Sequence, residues 1–182
     1  MHCRVQGNGV SGLNRPLSVV WSSKEDESAL QSDRALIFSL CGHNFAIPAG
    51  FVSKVGEVPA YTSVPASGQW FLGLVNHDGY PLPLVDARGF LLKNRGSNVP
   101  TSAIWIESAH GRFLLAVEQI ITLADLTQKE RQIIVPDTCR QELIEYACQH
   151  DQSSVMVIKL DKLVGAIVSS TSQTRISTGE MA

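Results

Sequence analysis

Residues 71–86 read Phe71-Leu72-Gly73-Leu74-Val75-Asn76-His77-Asp78-Gly79-Tyr80-Pro81-Leu82-Pro83-Leu84-Val85-Asp86. Two apolar runs flank Asp78-Gly79, a pair that tolerates the positive φ angles of a tight turn, so the stretch predicts a β-hairpin. Its second strand carries Pro81 and Pro83, which have no N–H to donate. That strand is expected at a sheet edge, or with one side unpaired.

The same grammar extends in both directions. Leu36–Leu40, Gly42-His43-Asn44 and Phe45-Ala46-Ile47 form a strand–turn–strand pattern. Ile104-Trp105-Ile106, His110-Gly111 and Arg112–Val117 form another. Short strands punctuated in this way predict an all-β domain. A shift of 68 residues superimposes Leu36 on Ile104, Phe38 on Ile106, Phe45 on Phe113 and Ile47 on Leu115. Further along, Asn76-His77-Asp78 answers Gln149-His150-Asp151, and the strand ending at Asp86 answers the one ending at Asp161, with two extra residues in the later turn. Each half closes on a short apolar stretch, Phe90-Leu91-Leu92 or Leu163–Ile167. A duplicated unit of this size is too small to bury a comfortable core alone, so the expectation is two small barrels side by side with a shared apolar seam. The repeats span about 36–100 and 103–168 within a domain of residues 34–170. Residues 1–33, rich in Ser, Gly and Asn, are expected to form a flexible arm, and 171–182 a flexible tail.

Composition narrows the function. A net charge of −2 over 182 residues supplies no basic stripe for phosphates, which argues against nucleic acid. Leu17–Trp21 is too short for a signal-peptide core and runs into Lys24-Glu25-Asp26-Glu27, and no apolar run is long enough to span a bilayer. A cytoplasmic protein without membrane insertion is expected. Its four cysteines, Cys3, Cys41, Cys139 and Cys148, are then reduced, with Cys41 and Cys148 acting as small buried hydrophobes.

No constellation of side chains suggests catalysis, and neither cofactor nor metal is expected. Gly7-Asn8-Gly9-Val10-Ser11-Gly12 spells the dinucleotide fingerprint, but no strand precedes it and Pro16 stands where the receiving helix should run. His77 and His150 lack a carboxylate or thiol at ligand spacing. Asp86 and Asp161 could be imagined as an acid–base pair; each is better read as a carboxylate capping the helical stretch that follows its strand.

The strings Phe71–Gly79 and Pro83-Leu84-Val85-Asp86-Ala87-Arg88 resemble the signature of CheW-like domains, in which a "GxxNxRG" turn leads into a strand ending "PVxDLR". Phe45-Ala46-Ile47-Pro48, Val55-Gly56-Glu57-Val58, the Pro65 loop before Trp70, and Leu115–Ile120, similar to the family's "GLxVDxV", follow in order. The likeness covers about Arg34 to Val168.

It implies two SH3-like five-stranded barrels and a non-enzymatic adaptor, which bridges the cytoplasmic tip of methyl-accepting chemoreceptors to the regulatory domain of a CheA-type histidine kinase. Such adaptors serve flagellar chemotaxis or pilus-driven twitching. An inter-barrel groove would hold the receptor tip, and a barrel end would meet the kinase. The residues implied in partner contact are Val75, Asn76, His77, Asp78, Gly79, Asp86, Arg88, Val117 and Glu118. Three of them depart from the pattern. Asp78 replaces a cationic Arg, His77 an aliphatic residue, and Glu118 an Asp; the Gly common near Tyr146-Ala147-Cys148 is missing as well. Charge reversal at a rim can reject one partner and select another. A decoy that binds the kinase but not receptors is therefore an alternative, as is a barrel module for a small ligand.

Overall fold

The computed structural model describes residues 34–65, 68–94, 96–126, 131–132 and 134–174. The expectations for the arm at 1–33, including Gly7–Gly12, and for the tail beyond Thr174 lie outside the described residues.

The elements run β1 (Arg34–Leu40), β2 (His43–Pro48), β3 (Val52–Glu57), β4 (Phe71–His77), β5 (Tyr80–Asp86), α1 (Ala87–Leu91), β6 (Ser102–Ser108), β7 (Gly111–Val117), β8 (Gln119–Asp125), β9 (Arg131–Gln132), β10 (Ile144–His150), β11 (Ser153–Ile158) and α2 (Leu160–Thr174). Short 3-10 turns at Ala49–Phe51 and Gln141–Leu143 precede β3 and β10. The helix α2 continues past Thr171, where the tail was expected to begin.

The strands form two sheets, a six-stranded one in the order β8-β1-β2-β11-β10-β9 and a five-stranded one in the order β3-β6-β7-β5-β4. The sixth strand of the first sheet, β9, is only Arg131–Gln132. The all-β, twin-unit architecture therefore holds, and the expected hairpins all form. The β1–β2 and β4–β5 turns use positive φ at Cys41 and Gly42 and at Asp78 and Gly79, as does a further β10–β11 turn at Asp151 and Gln152, while Gly111 takes positive φ at the β6–β7 turn, the backbone that right-twisted strands favour in tight connections.

What the repeat does in space differs from the expectation. The segments 36–100 and 103–168 are not separate bodies. Each sheet combines the first hairpin of one half with the remaining strands of the other: β1 and β2 sit with β8, β10 and β11, while β6 and β7 sit with β3, β4 and β5. The chain crosses between sheets through Ala49–Phe51 in the first half, and through the single residue Glu118 in the second. Sequence periodicity reports that two segments are alike, not that each folds upon itself.

The alternation of strand side chains divides the core. Leu36, Phe38, Phe45, Ile47, Met156 and Ile158 from one sheet meet Val85, Ile104, Ile106, Phe113, Leu115 and Val117 from the other in a shared seam, joined by Phe90, Leu91, Leu163 and Val164 of the helices. The opposite strand faces form two smaller cores. Ala35, Ile37, Ala46, Cys148, Val155 and Val157 fill one; Ala103, Trp105, Leu114, Val75, Leu82 and Leu84 occupy the matching positions of the other. The Phe38 and Phe45 rings stack with centroids 6.0 Å apart. Burying each large seam side chain contributes about 1.5–3 kcal/mol. A seam filled in this way is a core, so a partner groove of the kind expected can exist only at its rim.

Pro81 and Pro83 lie in β5, which is an interior strand between β7 and β4. The second form of the expectation holds: β5 pairs with β4 along its length, whereas the ladder with β7 starts at Leu84, beyond both prolines. A register shift between Phe71 and Gly73 recurs between Ile144 and Tyr146 in the other half. At Gly73 a Cβ would lie 2.3 Å from the Thr62 carbonyl oxygen, because the Tyr61–Thr62 backbone presses against β4 and bonds Leu74 in both directions. Tyr146 occupies the matching bulge where β10 pairs with β9 instead, so the expected Gly is not needed there.

Candidate docking surface

The implied partner residues separate into an exposed tip and a cluster at the seam. The tip is the β4–β5 turn. Asn76 Oδ1 accepts a hydrogen bond from the Gly79 N–H at 3.0 Å, closing the turn. Asp78 then projects with its side chain 90% exposed, and His77 Nε2 lies 3.7 Å from Asp78 Oδ2. Tyr80 beside it is 66% exposed. The other half repeats this tip, with His150 Nε2 3.3 Å from Asp151 Oδ2. Strong exposure, a fixed backbone and a negative charge suit contact with a cationic group on another protein.

Val75 and Val117 do not belong to a surface. Val75 lies in the core behind β4 and Val117 in the seam. They support the turn and the crossover rather than touch a partner, because strand alternation turns them inward next to outward neighbours.

Asp86 and Arg88 are likewise interior, and among the described residues they are the only buried charged groups. Arg88 grips Asp86 through both ends of its fork, Nε to Oδ1 at 3.0 Å and a terminal nitrogen to Oδ2 at 2.8 Å. The Arg88 backbone N–H also donates to Asp86 Oδ1 at 3.0 Å, which makes Asp86 the N-cap of α1, as expected. The hydrogen bonds it donates to Asp86 hold the guanidinium pKa above its ordinary value, against the opposing effect of burial. Asp161 does not match Asp86: it sits inside the first turn of α2, and the matching position is Lys159. The two carboxylates thus share no site.

Glu118 joins this neighbourhood from the crossover. Its carboxylate accepts the Cys41 N–H at 3.0 Å and the Cys41 thiol at 3.3 Å, and the Asn98 amide at 3.3 Å. Its carbonyl accepts the Thr101 hydroxyl at 2.7 Å. Cys41 was expected to be buried; it is instead half-buried in the left-handed conformation of the β1–β2 turn. Burial first, then the Glu118 contact, push its thiol pKa up. The turn was expected at Gly42-His43-Asn44; the structure places it at Cys41-Gly42, with His43 and Asn44 in β2, and the long-range partner Glu118 had no sequence signal. Cys139 and Cys148 are buried.

These arrangements hold no set of three or more His, Cys, Asp or Glu side chains able to bind a metal, among the described residues. No helix among them is long and apolar enough to cross a membrane. Two sheets share a solid apolar seam, and Asp86, Asn76 and Glu118 are engaged in a cap, a turn and a crossover.

A family model described as CheW-like domain matches residues 34–168. The chain belongs to the CheW-like domain family, a family of scaffold proteins that are not enzymes. It is 37% identical over 65 residues to protein PilI of Pseudomonas aeruginosa, a match covering 36% of this chain and 36% of PilI. The match thus spans little more than a third of that relative's length. The fold is similar to that of the scaffolding protein TtCheW from Thermoanaerobacter tengcongensis, with a TM-score of 0.62 at 18% identity, over 71% of this chain and 85% of the other.

Proposed function

We propose that this chain is an adaptor of a chemosensory system, coupling methyl-accepting chemoreceptors to a CheA-type histidine kinase in the cytoplasm. Likeness to PilI favours a pilus-driven, twitching form of that system. Family membership supports the scaffold role, and the observation that carries the site is the rigid, exposed tip at Asn76–Tyr80. Asn76, His77, Asp78 and Gly79 form the contact at the tip, with Val75 behind it. Glu118, Val117, Asp86 and Arg88 form a separate cluster at the other end of β5 and β7, and of these only Glu118 is offered as a second point of contact.

The charge at the tip favours a second reading. Asp78 is an anion where the family pattern has a cation, so the tip repels an anionic receptor surface. The protein would then bind the kinase and withhold it from receptors. Reconstitution of kinase, receptor and this chain separates the two: the adaptor restores receptor control of kinase autophosphorylation, and the decoy suppresses it. Under the decoy reading, Asp78→Arg should tighten receptor binding about tenfold, since reversing one exposed charge in a pair shifts binding by roughly 1–1.5 kcal/mol. Absence of binding to the kinase regulatory domain by the unaltered chain would sink both readings.

A further inference from the structure

The interleaving of the two halves leaves neither able to satisfy itself. In the first half, the β1–β2 hairpin finds its outer partners in β8 and β11, β3 finds its ladder in β6, and the β4–β5 hairpin is flanked by β7. All of these partners come from the second half. The two halves are joined by residues 93–101, a nine-residue connection. Its ends are tied down: the Lys93 N–H donates to the Thr138 carbonyl at 2.9 Å, and the Val58 N–H to the Thr101 carbonyl at 3.0 Å. Among its described residues, Asn94 and Gly96–Val99 are exposed, with Val99 77% exposed. Asn98 touches Glu118 and Gly96 packs over the Cys41 thiol.

We infer that residues 93–101 are a hinge through which two copies of this chain exchange halves, giving a dimer in which each pair of sheets is built from the first half of one copy and the second half of the other. Every ladder and every seam contact between halves is reproduced in the exchanged form. Its balance with the monomer is set by the tether alone: exchange of identical elements changes the connection, not the contacts. A short flexible tether confers an effective concentration in the millimolar range. The monomer therefore prevails in dilute solution, and the exchanged dimer competes when the chain refolds near 1 mM. Once formed, the dimer persists on dilution, because returning requires the whole seam to open. It would present two Asn76–Tyr80 tips in one particle, which a monomer cannot do.

Glu57 and Ser102 are directly opposed in the β3–β6 ladder and come from different halves. The variant Glu57→Cys/Ser102→Cys therefore bridges within one chain in the monomer and between chains in the exchanged dimer. The full chain carrying both substitutions is refolded from denaturant across a series from about 10 μM to 1 mM, oxidised, and run on a denaturing gel without reductant. Single-cysteine variants control for bridges through the native thiols. A covalent dimer that grows with concentration is expected. Deleting residues 94–99 shortens the tether and should move that dimer to lower concentration by at least tenfold. Chains bridged only within themselves at 1 mM, with both the full and the shortened connection, would overturn the inference. So would a dimer that separates in detergent into internally bridged monomers.

Discussion

Replacing Arg88 with Ala tests the interior ion pair most directly. Asp86 has no exposed surface and the Arg88 side chain is only 9% exposed, so the carboxylate is shut off from water and the guanidinium nearly so. Truncating Arg88 strips two charge-assisted hydrogen bonds from a carboxylate that water cannot reach, although the backbone N–H at the cap remains. Breaking a buried pair from one side costs about 3–5 kcal/mol, whereas replacing both partners by uncharged groups is often close to neutral. Against a total stability of about 5–15 kcal/mol for a domain, that loss is a large fraction. It corresponds to a fall in midpoint temperature of about 6–20 °C at this chain length. Urea unfolding followed by circular dichroism measures it, as a lower midpoint with unchanged slope. The double variant Asp86→Asn/Arg88→Leu keeps a good N-cap and removes both charges, and it should recover at least about 1–2 kcal/mol relative to Arg88→Ala. A cost below about 1 kcal/mol for Arg88→Ala at constant slope, or a double variant no better than the single, would refute the reasoning.

Three further changes read separate features. Gln152 occupies a left-handed turn position with φ 64°; Gln152→Gly should stabilise the fold by about 1 kcal/mol in the same urea assay, since that conformation costs an ordinary residue about 1–2 kcal/mol. Gly73→Ala should destabilise by about 1–3 kcal/mol or more, because its Cβ meets the Thr62 carbonyl with no room to yield; a neutral result would show that the Tyr61–Thr62 strap moves away easily. For Cys41 the folded state favours the neutral thiol, so its contribution to stability is whole below pH 9.0 and declines as pH rises through the raised folded value. Alkylation of Cys41 mapped by mass spectrometry should therefore rise at higher pH than in a free thiol. Glu118→Gln should move the profile part of the way back, burial being the larger cause. An unchanged profile in Glu118→Gln would show that the carboxylate does not act on the thiol.

Much of the architecture was legible because it is local. Asp78-Gly79 favours a tight turn whatever surrounds it, Gly42 marks the first turn although its exact residues shifted to Cys41-Gly42, and the alternation at Leu36, Phe38, Phe45 and Ile47 commits one strand face to burial. The 68-residue offset reproduces both ends of β1 in β6. Asp86 could be read as a cap because capping depends on residues adjacent in the chain. The match of Asp86 to Asp161 failed because helix starts shift by a residue or two without disturbing the apolar pattern.

The candidate site was legible only in part. Asn76, Asp78 and Gly79 are exposed as a turn must be, yet Val75 and Val117 were drawn into the same list although their strands point them inward. The meeting of Cys41 with Glu118 bridges 77 residues, and no local rule encodes it. By itself the chain determined its strands, its turns, its duplication and its scaffold family. Only the tertiary structure decided which half completes which sheet: side-chain alternation says that a face must be covered, while topology chooses the strand that covers it. The same reason places Arg88 against Asp86 in the interior, where the pair bears on stability, and leaves Asp78 exposed at the β4–β5 turn.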